Sequence, residues 1–358
     1  MKKISLLLSF LITLAACQPS NEHAKESNAS KTIDTERVRI WLAEITDHVI
    51  IPRYKKLHMS GAQMLRRTEQ FCLNRTDEHS LQSVRVAWVQ LLSDWHHTEA
   101  FLFGPAVEND RDLHMYFRYA KPKVIKRLLS LPEPITLDDI DEAGIGAQGI
   151  AALEYLLFSY EQDSAEITAS FTNPQTGKQR CSLLIAVARD FEQRAEQLLE
   201  DWTSSDKNFR DSLLLTGVDS SVFTSQQEVV DQVLSKLYQS VETSAQRRRN
   251  DVPFRSGMGF VSADATLKLA RQVFENGLED LLIDTGHQQL ARQFEAQFQI
   301  IDSITIPNDM FHRRDGYPYF EEINQYFNAA LAIAKLIRYE LADALSLQLT
   351  LFDADGDF

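Results

Sequence analysis

One carboxylate in an otherwise apolar stretch is the first candidate for chemistry. Residues 144–160 read GIGAQGIAALEYLLFSY, and Glu154 is the only charged side chain among them. The apolar residues leave no polar face, which predicts a helix that is buried on all sides. A buried carboxylate is costly without a partner, and its pKa rises with burial or falls beside a cation. Glu154 is therefore either a scaffold residue paired with an Arg or Tyr, or part of a site.

A second pattern with possible chemistry is the sequence His96-His97-Thr98-Glu99. His96 and Glu99 are three residues apart, so in a helix they share a face and have the spacing of a metal-binding pair. The pattern lies beside the apolar stripe of its helix, on the outer side. We therefore expect His96 and Glu99 on a solvated surface rather than in a metal site.

Long helices are predicted to position these residues, because apolar side chains recur at three- and four-residue steps and strand alternation is nearly absent. With the helix at Gly149 they make eight helices, for which two four-helix bundles are the economical arrangement. The apolar stripes run from Val38 to Val49 before Pro52, from Leu81 to Leu102 before Gly104, and then over 184–202, 230–241, 267–281, 290–301 and 320–347. We expect an N-terminal bundle over residues 32–175 and a C-terminal bundle over 176–358.

The first residues are expected to be a targeting segment. Residues 1–16 contain two lysines and an apolar run that is shorter than a typical membrane span. Leu14-Ala15-Ala16-Cys17 resembles a bacterial lipobox, so we expect Cys17 to become the lipidated N-terminus. The alternative is an ordinary secretory signal with a chance cysteine. Gln18 rather than Asp favours the outer membrane, and residues 17–31 form a polar, flexible tether.

The composition excludes some partners and leaves others open. A formal net charge of -14 argues against binding to nucleic acid or to an anionic lipid surface. It is compatible with cationic ligands, although a solvated acidic surface is the commoner reason. No transmembrane span is expected in the mature chain. Cys72 and Cys181 either form a disulfide in an oxidising periplasm or remain two buried thiols.

The central stretch resembles the imelysin family signature, which has a Gly, a His two residues later, a Glu three residues after that, and then Tyr-Leu-Leu-Phe. Gly149 and Glu154 match this signature, but the position of the His is occupied by Ala151. Other similar segments follow in the family's order over the whole mature chain. They are Val49-Ile50-Ile51-Pro52-Arg53-Tyr54, Phe71-Cys72, Arg85-Val86-Ala87-Trp88, Phe103-Gly104-Pro105, Pro253-Phe254-Arg255-Ser256, Asn276-Gly277 and Asp353-Ala354-Asp355-Gly356-Asp357.

This resemblance implies an all-α protein of two four-helix-bundle-like halves with a cleft between them. It also implies that Glu154, Arg255 and Ser256 face that cleft as ligand-binding residues. Arg255 would then pair with Glu154 or clamp a ligand carboxylate, the alternative being that it caps a helix or pairs at the surface. Ser256 has no His nearby in the sequence to activate it, so we do not expect it to be a nucleophile.

Two functions follow from the resemblance. The first is a non-catalytic lipoprotein on the periplasmic side of the envelope that binds iron or a small ligand during iron acquisition. The second is a metallopeptidase, the activity that gave the family its name. A zinc peptidase needs about three protein ligands, and the central helix offers only Glu154 to iron or zinc, because Ala151 cannot act as a ligand. This favours binding, and a purely structural envelope protein is a third possibility.

Overall fold

The computed structural model describes residues 35–159, 162–217, 222–246, 255–305 and 320–350. Within these ranges the chain consists of helices and turns and contains no strand, which confirms the all-α fold class. Residues 1–31, with Cys17, lie outside the described residues, as do Pro253-Phe254 and the closing Asp353–Asp357 segment. The signal peptide, the tether and the lipidation therefore stay predictions.

Sixteen α-helices are numbered here in chain order within the described ranges. They are α1 (Thr35–Ile45), α2 (Ile51–Leu73), α3 (Glu78–His96), α4 (Arg111–Met115), α5 (Pro122–Leu129), α6 (Leu137–Ala143), α7 (Gly149–Leu157), α8 (Ser164–Thr172), α9 (Gly177–Thr203), α10 (Phe209–Leu214), α11 (Gln226–Gln246), α12 (Gly259–Val273), α13 (Glu279–Asp284), α14 (Gln288–Ser303), α15 (Phe320–Lys335) and α16 (Ala342–Ala344). Turns of π-helix extend α1, α12 and α15, and short 3₁₀ turns connect several of the others.

The long helices pack in two groups. In the first, α2 packs against α3 and α9, and α7 lies against α3 and α9. In the second, α11 packs against α12 and α15, and α14 packs against α15. The helices α1 to α16 cluster as one compact unit, in which α12 also packs against α3. The division into halves at residues 175 and 176 stays a prediction, and α9, which begins just after it, packs with the first group.

The predicted end of the first helix at Pro52 is wrong. The helix passes through a π-helical turn at Thr46–Ile50 and continues as α2, with Pro52 in the first turn. In that turn the Ile51 N–H reaches back five residues to the Thr46 carbonyl. A π turn interrupts the regular hydrogen-bond series, so a residue without an N–H fits directly after it.

A disulfide between Cys72 and Cys181 joins α2 to α9. Of the two alternatives that the sequence left open, the structure contains the disulfide and not two free thiols. The two cysteines are 109 residues apart in sequence, and their Cα atoms are 5.7 Å apart. Closing a loop of this length restricts the unfolded chain, and the loop-entropy model gives a stabilisation of about 5 kcal/mol for such a bridge. It fixes α2 against α9, and α9 is one of the two helices against which α7 lies. Among the described residues, no helix is both long and apolar enough to span a membrane.

Candidate functional site

The N-terminus of α7 lies directly against the end of α4. Gly149 has a φ of +65°, and a Cβ built on it would lie 2.1 Å from the carbonyl oxygen of Met115. Only glycine permits both this backbone conformation and this close approach. One residue later, the Trp88 indole N–H donates to the Ile150 carbonyl over 3.0 Å. The first turn of α7 is therefore fixed between α4 and α3.

Two arginines satisfy the C-terminus of α7. Arg180 donates to the Leu156 carbonyl over 2.6 Å, and Arg85 donates to the Leu157 carbonyl over 2.9 Å. Cations at this end of a helix complement its dipole as well as its unpaired carbonyl groups. Both ends of the short helix are thus held, and the side chains on it have defined positions.

Glu154 is buried, with 2% of its surface exposed. Its Oε1 atom accepts two hydrogen bonds from Ser256, one from the backbone N–H over 2.8 Å and one from the hydroxyl over 2.9 Å. Burial raises the pKa of the Glu154 carboxyl, against the lowering effects of the Ser256 hydrogen bonds and of the Arg255 charge. The two hydrogen bonds from Ser256 hold the carboxyl group of Glu154 in place.

Arg255, the residue before Ser256, also lies near the Glu154 carboxyl group. Its guanidinium stacks on the ring of Tyr155, 4.6 Å from the ring centroid. It is close enough to Glu154 for its charge to lower the pKa of the carboxyl, although burial outweighs this effect. The structure thus brings together the three residues that the family resemblance implied, Glu154, Arg255 and Ser256. Their role in binding is taken up below as a proposal.

A cavity of about 280 Å³ opens beside these residues. Its lining residues are Arg118, Tyr119, Ala120, Pro122, Ala151, Glu154 and Arg255. The segment 118–122 escaped the sequence reasoning, because nothing in its composition links it to α7. The link is a long-range hydrogen bond of 2.7 Å from the Lys121 N–H to the Gly146 carbonyl, which holds the segment against the turn before α7. The start of a helix at Pro122 was the one local signal.

The residues of this cavity do not fit the metal centre that the family implies. Ala151 stands where the signature has its His, and its methyl group cannot act as a ligand. Arg118 and Arg255 also line the cavity, and a guanidinium group has no lone pair with which to bind a metal ion. In the described ranges there is no group of three His, Cys, Asp or Glu side chains arranged to hold a metal ion.

The prediction that His96 and Glu99 lie on a solvated surface is wrong. His96 is fully buried, and only 12% of the Glu99 side chain is exposed. His96 Nδ1 lies 2.7 Å from Glu99 Oε1, and the Thr266 hydroxyl donates to Glu99 Oε2 over 2.9 Å. Because α12 packs against α3 and the following 3₁₀ turn, it covers this face. The apolar stripe of α3 does not reveal this second packing partner.

Comparisons with known proteins agree with this architecture. The imelysin family model matches residues 50–305, more than two thirds of the chain. The crystal structure of an imelysin-like protein from Psychrobacter arcticum 273-4 is similar with a TM-score of 0.62 and 16% identity, over 89% of this chain and 98% of that one. A protein described as an iron-regulated protein A precursor, from Parabacteroides distasonis ATCC 8503, is similar with a TM-score of 0.66 and 14% identity, over 85% of this chain and 94% of that one. No curated protein matches the sequence.

At these identities the solved structures show the fold alone, whereas the family model rests on the sequence itself. The matched range contains the whole site, from the 118–122 segment through α7 to Arg255 and Ser256. It also contains the one departure from the signature, Ala151. The chain belongs to the imelysin family.

Proposed function

We propose that this protein is a non-catalytic, lipid-anchored component of the bacterial cell envelope that binds a small ligand during iron acquisition. The observation behind the proposal is the cavity beside Glu154, Arg255 and Ala151. It combines a buried carboxylate, held by Ser256, with a methyl group at the position of the family's His. Such a concave site with a few polar groups is typical of ligand binding.

The link to iron comes from the fold relative described as an iron-regulated protein A precursor. The word precursor also supports export of this chain, as does the expected signal peptide at residues 1–16. The anchor rests on the lipobox that ends at Cys17. In this proposal the lipid chain holds the protein at the outer membrane, and the tether leaves the helical unit free to meet its ligand in the periplasm.

A peptidase role is the competing function, because the family is named for it. Peptide hydrolysis by a metal site needs an ion held by about three ligands, together with a bound water. Among the described residues that line the cavity, Glu154 carries the one carboxylate, and its Oε1 atom already accepts two hydrogen bonds from Ser256. The donor set therefore supports binding without turnover.

The test of the proposed function uses growth under iron limitation. A strain that lacks the gene is complemented with the wild-type protein, with Cys17→Ser and with Arg255→Gln. We expect the wild type to restore growth, Cys17→Ser to leave the membrane fraction, and Arg255→Gln to restore growth poorly.

In a second experiment, the purified protein is loaded with zinc or iron and given unfolded protein substrates. Chelator-sensitive cleavage that Glu154→Gln abolishes would replace the binding role with the peptidase, and equal growth without the gene would refute a role in iron acquisition.

A further inference from the structure

We propose that the cavity beside Glu154 binds a small, neutral ring of the imidazole type, held by a hydrogen bond to the Glu154 carboxyl group. This inference rests on the proposed binding function and names the chemical class of its ligand. The cavity measures about 280 Å³, and both Ala151 and Glu154 line it. A neutral imidazole has one nitrogen that donates a hydrogen bond and one that accepts, so it matches a carboxyl group in either protonation state.

The buried contact between His96 and Glu99 shows how this fold places an imidazole beside a carboxyl group. His96 Nδ1 lies 2.7 Å from Glu99 Oε1, and the Thr266 hydroxyl donates to Oε2 over 2.9 Å. Glu154 has Ala151 three residues before it, and a cavity lies where a ring could stand. An imidazole that enters from outside would therefore give Glu154 the kind of contact that Glu99 has within the chain.

The Glu154 carboxyl group retains hydrogen-bonding capacity for such a ligand. Its Oε1 atom accepts hydrogen bonds from the N–H and the hydroxyl of Ser256, and the Arg255 backbone N–H forms a further one to the carboxyl group. A carboxylate has about four acceptor positions, so one more donor can be accommodated. Burial raises the pKa of Glu154, and the protonated form would instead donate to the unprotonated ring nitrogen. Both forms thus bind the same neutral ring.

The walls of the cavity favour a neutral ring over a charged ligand. The apolar and aromatic part of the lining consists of Tyr119, Ala120, Pro122 and Ala151. A flat ring can pack against such side chains, whereas a charged ligand would lose hydration there without full compensation. Arg118 and Arg255 complete the lining. Both interact with other groups of the protein, and the ring requires no contact with either.

The volume of the cavity also suits a five-membered ring. An apolar protein cavity of about 150 Å³ is large enough to bind benzene, and pockets for drug-sized molecules usually measure about 300–1,000 Å³. At about 280 Å³ the cavity has room for one small ring with a short substituent. A ligand of so few atoms binds weakly, with an expected dissociation constant between about 10 µM and 10 mM.

The experiment measures binding to the purified mature protein by saturation-transfer difference NMR at pH 8, where imidazole is mostly neutral. The probes are imidazole, pyrazole and N-acetyl-L-histidine methylamide, with thiophene as a ring of similar size that has no N–H group. The variants Ala151→His and Ala151→Leu fill the cavity. Ala169→His and Ala169→Leu are the matched controls, because they add the same side chains on the exposed surface of α8. Circular dichroism confirms that each variant is folded.

We expect saturable binding of imidazole and pyrazole, weakened about tenfold or more in both Ala151 variants and unchanged in both Ala169 variants. Tighter binding of the histidine derivative than of imidazole identifies a histidine side chain as the source of the ring, and the reverse order identifies a free heterocycle. Binding that is absent, that thiophene equals, or that both Ala151 variants retain would overturn the inference.

The growth test under iron limitation judges the proposed function separately. If the rings fail to bind but the wild-type gene restores growth, the ligand class is wrong and the binding function stands. If growth is equal without the gene, the role in iron acquisition is wrong whatever the NMR result.

Discussion

Two pairs of positions in this protein have the same spacing in sequence and opposite outcomes. At residues 96 and 99 a His and a Glu stand three residues apart, and they close on each other, 2.7 Å apart and buried. At residues 151 and 154 the Glu is present, but the His is replaced by an Ala, and a cavity lies beside the pair. In the first pair, the His and the Glu therefore contact each other directly. In the second, the absence of the imidazole leaves room for a ligand.

The difference shows that local spacing does not determine what a carboxylate does. Glu99 is satisfied by His96 from its own segment and by Thr266 from α12, so both of its oxygens have partners inside the fold. Glu154 accepts hydrogen bonds on Oε1 from Ser256, in a distant part of the chain, and Arg255 beside Ser256 also lowers its pKa. What lies beside the carboxylate, either a packed helix or a cavity, separates the structural pair from the candidate site.

The largest expected effect comes from breaking the buried contact between His96 and Glu99. His96→Ala leaves the Glu99 carboxylate buried without its imidazole partner, which should lower the free energy of unfolding by about 3–5 kcal/mol. Urea denaturation measures this. The control is His48→Ala, because His48 and Glu44 form an exposed pair 3.3 Å apart, whose loss should cost less than about 0.5 kcal/mol. Equal, small effects would mean that the pair at 96 and 99 contributes no more than a surface contact.

The next effect tests how α7 is positioned. Gly149→Ala forces a side chain into a left-handed backbone conformation and against the Met115 carbonyl, so we expect a loss of about 3 kcal/mol or more in the free energy of unfolding. Gly286→Ala is the matched control, since its φ is +89° but a Cβ there would have no atom within 4 Å. It should cost about 1–2 kcal/mol, the strain alone. If the two variants are equally stable, the close contact with α4 does not fix α7.

These positions also show how much of the fold and of the candidate site the sequence predicts. The absence of a polar face around Glu154 is a local property, and it correctly predicted a buried helix. The burial of His96 depends on α12, which is more than 150 residues away in sequence, and the periodicity of α3 reports only on its own core face. The 118–122 segment joins the site through one backbone hydrogen bond to Gly146, for which no residue pattern exists. Arg255 and Ser256 were found through the family resemblance rather than through their own spacing.

A smaller, pH-dependent effect distinguishes Glu154 from an ordinary surface acid. Because burial raises the pKa of Glu154 in the folded protein, the folded state holds its proton to higher pH than the unfolded state does. The stability that Glu154 contributes is therefore largest below its ordinary pKa of 4.5 and falls as the pH rises through the folded value. Each unit of elevation corresponds to about 1.4 kcal/mol.

Urea denaturation of the wild type and Glu154→Gln between pH 4 and pH 8 measures this effect. The other titrating groups are the same in both proteins, so the difference in unfolding free energy isolates Glu154. The wild type should lose stability relative to the variant as the pH increases. A difference that grows in the opposite direction would mean that Arg255 and Ser256 outweigh burial, and that Glu154 is a stabilised anion.

The smallest effect on stability, and the most direct test of the comparison, is Ala151→His. The substitution gives residues 151 and 154 the same His and Glu spacing as residues 96 and 99. Ala151 lines a cavity of about 280 Å³, so an imidazole has space there, and the free energy of unfolding should change by less than about 1.5 kcal/mol. Urea denaturation of the wild type and the variant measures the change, and a much larger loss of stability would show that the cavity has no room for an imidazole beside Glu154.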